Sequence, residues 1–386
     1  MSSVFLMPPK MITGSGAISK LCEHLRGKGK KAFIVTDGSM IKFKTAGKLT
    51  AILEQAGITY EIYAEVNGEP TDAIVAKGVQ HFKQAKCDCI IALGGGSPID
   101  AAKAIGFMAS SGGKIRSFMK TEITSPLPYF VAIPTTAGTG SEVTQFTIIT
   151  DTGKNEKMLL KGPALIPQLA VIDPDLTLTI PPHVTVATGL DALTHAIEAY
   201  TSRKAQALAD SFALSAIKRI YQHLETAYRD GGNLEARQQL SLAALEAGIA
   251  FNNSSVTLVH GMSRPIGALF HIAHGVSNAL LLTRCLEFLV PGNPARFAKI
   301  ADVMGITGPG RSEEEACNAL LRDLDHFCKV LKVPALPDLQ VEKRQFYNHL
   351  TKMAEDALAS GSPANAFRIP GQQDIMDIYQ KLWPDH

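Results

Sequence analysis

Along the first 180 residues, short runs of β-branched and other apolar residues alternate with longer stretches whose apolar positions recur every three or four residues. That alternation predicts a parallel sheet covered by helices. Strands are expected at Lys31–Asp37, Tyr60–Val66, Cys89–Gly94, Tyr129–Pro134 and Leu169–Ile172, and helices at Ile41–Gln55, Ala73–Lys86 and Pro98–Ala109. Between Thr147 and Leu160, Asp151-Thr152-Gly153 separates two short runs and reads as a hairpin. After Pro181-Pro182 the strand-like runs stop, and helical spacing covers Val184–Thr201, Ala205–His223, Leu234–Asn252, Asn293–Met304, Ser312–Val330 and Arg344–Leu358. The expected architecture is an α/β domain over residues 1–180 and an all-α domain over 181–386. A cleft between two such halves is the natural place for an active site. No internal repeat or low-complexity tract interrupts the pattern.

Composition narrows the function classes. A chain of 386 residues is long enough for two cores. Its 38 basic and 36 acidic side chains leave a net charge of +2, too small a field to hold a nucleic-acid backbone or an anionic membrane. The basic run from Arg26 to Lys31, broken by Gly27 and Gly29, reads as a helix end followed by a strand start. No stretch approaches the roughly 18 apolar residues of a membrane span, and the N-terminus lacks the pattern of a secretion signal, so a soluble cytoplasmic protein is expected. Six cysteines are thinly spread. Cys87 and Cys89, two apart on an expected strand, would share a face, which admits a metal or redox pair, although buried packing is the commoner use.

Three places carry candidate chemistry. The first is Gly94-Gly95-Gly96-Ser97-Pro98-Ile99-Asp100, a buried strand running through three glycines into a helix start with Ser97 as N-cap. Glycines admit close backbone approach, and a helix N-terminus offers free N–H groups, so the turn suits a pyrophosphate. A tight turn without ligand is the rival reading, and the spacing is not the usual dinucleotide fingerprint. The second is Pro134-Thr135-Thr136-Ala137-Gly138-Thr139-Gly140-Ser141-Glu142, a hydroxyl-rich loop after the next strand. Asp37, ending the first of the expected strands, could accept from an adenosine ribose and repel a 2′-phosphate, favouring NAD over NADP; a turn-initiating role before Gly38 competes.

The third is a metal constellation. His260, His271 and His274 fall within a 15-residue window, and Asp191 and His195 stand four apart on one face of an expected helix. With His260 and His274 they could chelate Fe²⁺ or Zn²⁺ through oxygen and imidazole donors. A helix-stabilising Asp/His pair is the alternative. Glu198 lies on the same stripe and could at best support a ligand from behind, an exposed or capping glutamate being the usual case.

These segments, with Gly189-Leu190-Asp191-Ala192-Leu193-Thr194-His195-Ala196-Ile197-Glu198, His260-Gly261-Met262 and His274-Gly275, resemble the iron-containing, metal-dependent (group III) alcohol dehydrogenases over essentially the whole chain. The resemblance implies an N-terminal dinucleotide-binding domain and a helical metal-binding and substrate domain. It implies a divalent metal, Fe²⁺ with Zn²⁺ as the alternative, held by Asp191, His195, His260 and His274. It also places NAD on Gly95, Gly96 and Ser97, with Thr135, Thr136 and Thr144 along the nucleotide, Lys157 near its ribose, and Asp37 marking NAD preference. The implied reaction moves a hydride between NAD(H) and a small primary alcohol or aldehyde, with the ion acting as Lewis acid. Relatives are commonly dimers or larger, which implies a homo-oligomer.

One position departs from the family. Where many relatives carry a histidine four residues after the third ligand, this chain has Arg264, which stays protonated and makes a poor general base. Arg264 is expected to meet an anionic group of the substrate, with a structural salt bridge as its rival, and His271 to take over proton transfer. Pro265 is expected to interrupt any helix joining the two. Rival functions are a glycerol-dehydrogenase-like or transhydrogenase activity on the same scaffold, and a catalytically silent nucleotide-binding or assembly protein. The intact set of ligands argues against silence.

Overall fold

The structure, a computed structural model, describes residues 2–154, 156–308 and 310–383. It divides into two compact units: Leu6–Thr179, and Ile180–His386 together with the described residues of Met1–Phe5.

In chain order the first unit contains β1 (Met11–Thr13), α1 (Leu21–Leu25), β2 (Lys31–Val35), α2 (Gly38–Lys42), α3 (Thr45–Gln55), β3 (Thr59–Tyr63), α4 (Asp72–Gln84), β4 (Cys89–Gly94), α5 (Gly96–Ser111) and β5 (Tyr129–Pro134). The strands β6 (Phe146–Asp151), β7 (Glu156–Lys161) and β8 (Leu169–Ile172) complete it. Six strands form a parallel sheet in the order β1-β8-β5-β4-β2-β3, while β6 and β7 pair as the antiparallel hairpin expected from the sequence. Alternation sorts side chains between the two faces. Phe33, Val35, Ile90, Ala92, Phe130 and Ala132 pack with α4, α5 and the hairpin, whereas Ala32, Ile34, Ile91, Leu93, Val131 and Ile133 pack with α1 and α3.

Three local features depart from the sequence reading. The edge strand β1, only three residues long, carries too short a pattern to be read from sequence. The single helix expected over Ile41–Gln55 is two, α2 and α3, because Lys44 turns left-handed at φ 60°. Cys87 and Cys89 do not share a face: β4 begins only at Cys89, so Cys87 joins one core layer and Cys89 the other. Burial pushes their thiols up to about 11 and about 12, which keeps them protonated and unsuited to metal or redox work. All six cysteines are free.

The second unit contains α6 (Pro182–Tyr200), α7 (Ala207–Arg229), α8 (Leu234–Ser254), α9 (Leu258–Phe270), α10 (His274–Leu289), α11 (Pro294–Met304), α12 (Glu313–Val330), α13 (Lys343–Asn348), α14 (Leu350–Ala359) and α15 (Gln372–Gln380). Helix α9 runs through Pro265 instead of stopping there. Proline forfeits one hydrogen bond, but Val259, Met262 and Ile266 on either side are fully buried, and their packing holds the helix. From Gly189 to Tyr200, α6 is buried at every position. Its polar residues Asp191, Thr194, His195 and Glu198 must therefore find partners inside the protein. No helix among the described residues is long and apolar enough to cross a membrane.

Candidate active site: a phosphate turn and a metal centre

The strands β5, β4 and β2 lie side by side, and the direction of travel across the sheet reverses between the last two: β2 leads outward to β3, and β4 leads the other way to β5 and β8. The carboxyl edge at such a reversal is where open α/β sheets take ligands. Gly94 leaves β4 there at φ 151°, and a Cβ on it would meet Pro98 Cγ at 2.7 Å and Asp37 Oδ2 at 3.1 Å. Only glycine fits. Helix α5 is capped by Gly95, two residues before the expected Ser97 cap, and Pro98 falls within the first turn where its missing N–H costs nothing. The first N–H groups of α5, at Gly96 and Ser97, thus open onto the turn without a helical carbonyl behind them. An anion is favoured at that end of a 16-residue helix.

The hydroxyl-rich loop borders the same turn. Thr135 N–H donates to the Gly94 carbonyl at 3.0 Å, and a Cβ on Gly95 would lie 3.4 Å from Thr136 Oγ1. Asp37 divides its two oxygens. Oδ1 accepts from Ser39 N at 2.8 Å, from Met40 N at 3.2 Å and from the Ser39 hydroxyl, so the turn-initiating role is real. Oδ2, facing Gly94, has no donor among the described residues. Asp37, Gly95, Gly96, Ser97, Thr135 and Thr136 therefore come together. Two other expected cofactor residues are differently engaged: Lys157 pairs with Glu69 at 2.6 Å, and buried Thr144 offers its carbonyl and hydroxyl to Lys103 Nζ at 2.8 and 3.2 Å.

Lys103 was not apparent from sequence. Fully buried on α5, its Nζ also donates to the Phe146 carbonyl at 2.8 Å. One turn earlier, Asp100 accepts from Ser141 Oγ at 2.5 Å and Ile148 N at 2.9 Å. Burial draws the Lys103 ammonium down to about 8 against the opposing pull of Asp100 and Glu142, and raises the Glu142 carboxyl to about 7. The helix that starts at the phosphate turn is thus fastened to the loop after β5.

In the second unit, Asp191 and His195 of α6 and His260 of α9 are buried with ligand atoms within 4.8 Å of one another. Asp191 Oδ1 lies 4.0 Å from His195 Nδ1, 3.6 Å from His260 Nε2 and 3.8 Å from His274 Nε2. His274, the first residue of α10, is the more exposed member. Its approach depends on Gly275, where any Cβ would collide with the carbonyl of Ala187 on α6. Burial alone would raise the pKa of Asp191, but His195, His274 and His260 hold it well below the usual carboxylate range.

A supporting layer orients these donors. Glu198 accepts from His260 Nδ1 at 2.5 Å, which fixes the tautomer and turns Nε2 toward Asp191. The same carboxylate accepts from Thr257 Oγ1 at 2.8 Å and Val259 N at 2.6 Å, at the start of α9. Burial disfavours charged His260, yet Glu198 and Asp191 raise it to about 9; burial lowers His195 to about 3. Asn278, also missed from sequence although one turn after His274, donates to Asp191 Oδ1 at 2.6 Å with Nδ2 3.1 Å from His260 Nε2 and 3.3 Å from His274 Nε2. Ser263 Oγ stands 3.2 Å from His274 Nδ1. Buried His195 Nδ1 and Asn278 Oδ1 have no hydrogen-bond partner among the described residues. A carboxylate, converging imidazole nitrogens and orphaned lone pairs fit a divalent ion of the Fe²⁺ or Zn²⁺ type.

Two family models match the chain: iron-containing alcohol dehydrogenase over residues 8–174, and the Fe-containing alcohol dehydrogenase family C-terminal region over 185–383. The chain belongs to the iron-containing alcohol dehydrogenase family. It is 37% identical to the 1,3-propanediol dehydrogenase of Citrobacter freundii over 384 residues, covering 98% of each chain. It is 35% identical to the NAD-dependent methanol dehydrogenase of Bacillus methanolicus, over 97% of this chain and 98% of that one. A crystal structure of a 1,3-propanediol oxidoreductase superposes with a TM-score of 0.96 at 36% identity, covering 99% of this chain and 100% of the other.

Within this iron-containing alcohol dehydrogenase, the two residues offered as catalytic sit differently. Arg264 is half-buried on α9, one turn beyond His260. His271 is exposed, closes α9 in the left-handed region at φ 54°, and stands outside the donor cluster.

Proposed function

We propose that this family member passes a hydride between NAD(H) and a small primary alcohol or its aldehyde. The observation that carries the reading is the buried convergence of Asp191, His195 and His260, with His274 at its open side. These four residues would hold a divalent ion, which would supply Lewis acidity to the substrate oxygen in both directions. Asp191 contributes the negative charge, and Glu198 holds the His260 ring through Nδ1, so that Nε2 is the nitrogen turned to the cluster. The amides of Gly95, Gly96 and Ser97 hold the pyrophosphate. Thr135, Thr136 and Thr144 would line the nucleotide, Thr144 with its loop fixed by Lys103, and Lys157 would reach the ribose by leaving Glu69. Asp37 Oδ2 accepts from the adenosine ribose and repels a 2′-phosphate, giving NAD over NADP. Nicotinamide held there would supply hydride transfer to or from the substrate carbon, and His271, open to water, exchanges the alcohol proton with solvent. Free thiols suit a cytoplasmic enzyme. Exposed Leu208, Phe367 and Ile369 on the helical unit suit a homo-oligomer, which light scattering would count.

The test is to purify the protein without chelator, measure its metal, and follow NADH absorbance with short aldehydes. Metal-dependent NADH oxidation is expected. Absence of both bound metal and oxidation, after Fe²⁺ and Zn²⁺ are resupplied, would favour a silent binding protein. His271→Gln should slow turnover and recover with added imidazole; an unaffected rate removes His271 from the proton path.

A further inference from the structure

The other buried or half-buried arginines of the helical unit have partners. Arg237 donates to Gly231 O, Thr185 Oγ1 and Ile180 O at 2.8–3.2 Å; Arg296 meets Tyr200 O at 2.5 Å and Asp210 Oδ1 at 2.6 Å; Arg284 meets Glu287 Oε1 at 2.6 Å. Arg264 has none: no hydrogen bond or ion pair reaches its guanidinium among the described residues. The salt bridge that would make it merely structural is therefore missing. Glu198 is the carboxylate whose field reaches it, but the two oxygens of Glu198 already serve Thr257, Val259 and His260. Asp191 is likewise committed to Asn278 and the imidazoles.

A partly desolvated guanidinium without a counter-charge is costly, and a divalent ion one helical turn away adds positive charge to the same place. An anion from outside the protein removes both penalties. Arg264 and His260 are four residues apart on α9, so their side chains leave one face with about 5–6 Å between Cβ atoms. A molecule with its oxygen at the His260 side and its anionic end at Arg264 must be short.

We propose that Arg264 is a specificity-determining residue that binds an anionic end group of the substrate. This rests on the dehydrogenase reading and narrows its substrate class to two- or three-carbon aldehydes or alcohols ending in a carboxylate, sulfonate or phosphonate. The planar fork of arginine matches the paired oxygens of such groups. The anionic end is a handle, and the hydride and proton move as before.

The experiment compares metal-loaded wild type, Arg264→Ala and Arg264→Lys with propanal and with a two-carbon aldehyde bearing a sulfonate, reading kcat/KM for each. In wild type the anionic aldehyde should be preferred. The anionic-to-neutral ratio should fall by about 10- to 100-fold in Arg264→Ala and recover partly in Arg264→Lys, which returns the charge without the fork. A ratio within about twofold of wild type in Arg264→Ala overturns the inference and leaves the dehydrogenase reading standing. If neither aldehyde is reduced, that reading fails, and calorimetric titration with the corresponding hydroxy-sulfonate still decides this one. Binding lost in Arg264→Ala supports the handle; equal binding in both proteins overturns it.

Discussion

At the scale of single residues, the donor cluster depends on side chains that stand behind it. Glu198 fixes the His260 ring, and its oxygens are the only acceptors the structure gives that Nδ1–H among the described residues. Glu198→Gln keeps the shape but replaces one acceptor by a donor and removes the charge. Metal affinity, measured by competition with a chromogenic chelator, is expected to drop roughly 10- to 100-fold, and unchanged affinity would demote Glu198 to a helix cap. Asp37 has a different balance, because one oxygen caps α2 and the other faces the phosphate turn. Asp37→Gly should raise NADP use relative to NAD while costing a few tenths of a kcal/mol in stability, since glycine is itself a tolerated cap. Selectivity that does not move would leave Asp37 with its capping role alone.

At the scale of elements, the fastening of α5 to the loop after β5 converts a charge into a position. Lys103 holds the carbonyls of Thr144 and Phe146, and Asp100 holds Ser141 and Ile148, so the phosphate turn and the threonine loop behave as one piece. The ammonium is the stronger donor, and burial brings its pKa down to about 8. Its grip is therefore complete below that pH and weakens as pH rises through it. NADH affinity, followed by cofactor fluorescence, is expected to decline above pH 8 in wild type. Lys103→Met should bind NADH more weakly at neutral pH and lose that alkaline decline. A variant that binds as tightly as wild type, with the same pH profile, would mean that the loop is positioned by packing alone. The second unit offers a parallel case: α6 is buried at every position from Gly189 to Tyr200, so Asp191, His195 and Glu198 meet side chains of other helices and not solvent.

At the scale of the whole molecule, the two units carry separate chemistry and a single tryptophan, Trp383, reports on the helical one. An ion that binds only the folded unit stabilises it by about 2.7 kcal/mol at a hundred times its dissociation constant. The unfolding midpoint seen by Trp383 fluorescence should then rise by roughly 5–10 °C on Fe²⁺ or Zn²⁺ loading of the apoprotein, and fall again with chelator. An unmoved midpoint would place the ion elsewhere. Much of this organisation was legible in the chain. Buried strands with period-two sorting, the glycine turn and the i,i+4 pair Asp191/His195 are local patterns, and the backbone spells them out within a few residues. What lay beyond reach was whatever depends on approach between distant segments. The short edge strand β1 exists because β8 is there to pair with it. Helix α9 survives Pro265 because its neighbours bury it. Cys87 and Cys89 part company because the strand begins one residue after Asp88. The sequence by itself determined which groups were available: the imidazoles, the carboxylates, the glycines and an arginine in an unusual place. Only the tertiary structure decided which of them are paired, since burial and the competition for hydrogen bonds are set by the packing of helices far apart in the chain. That packing engaged Lys103 and Asn278, committed Glu198 to His260, and left Arg264 with no hydrogen bond or ion pair among the described residues.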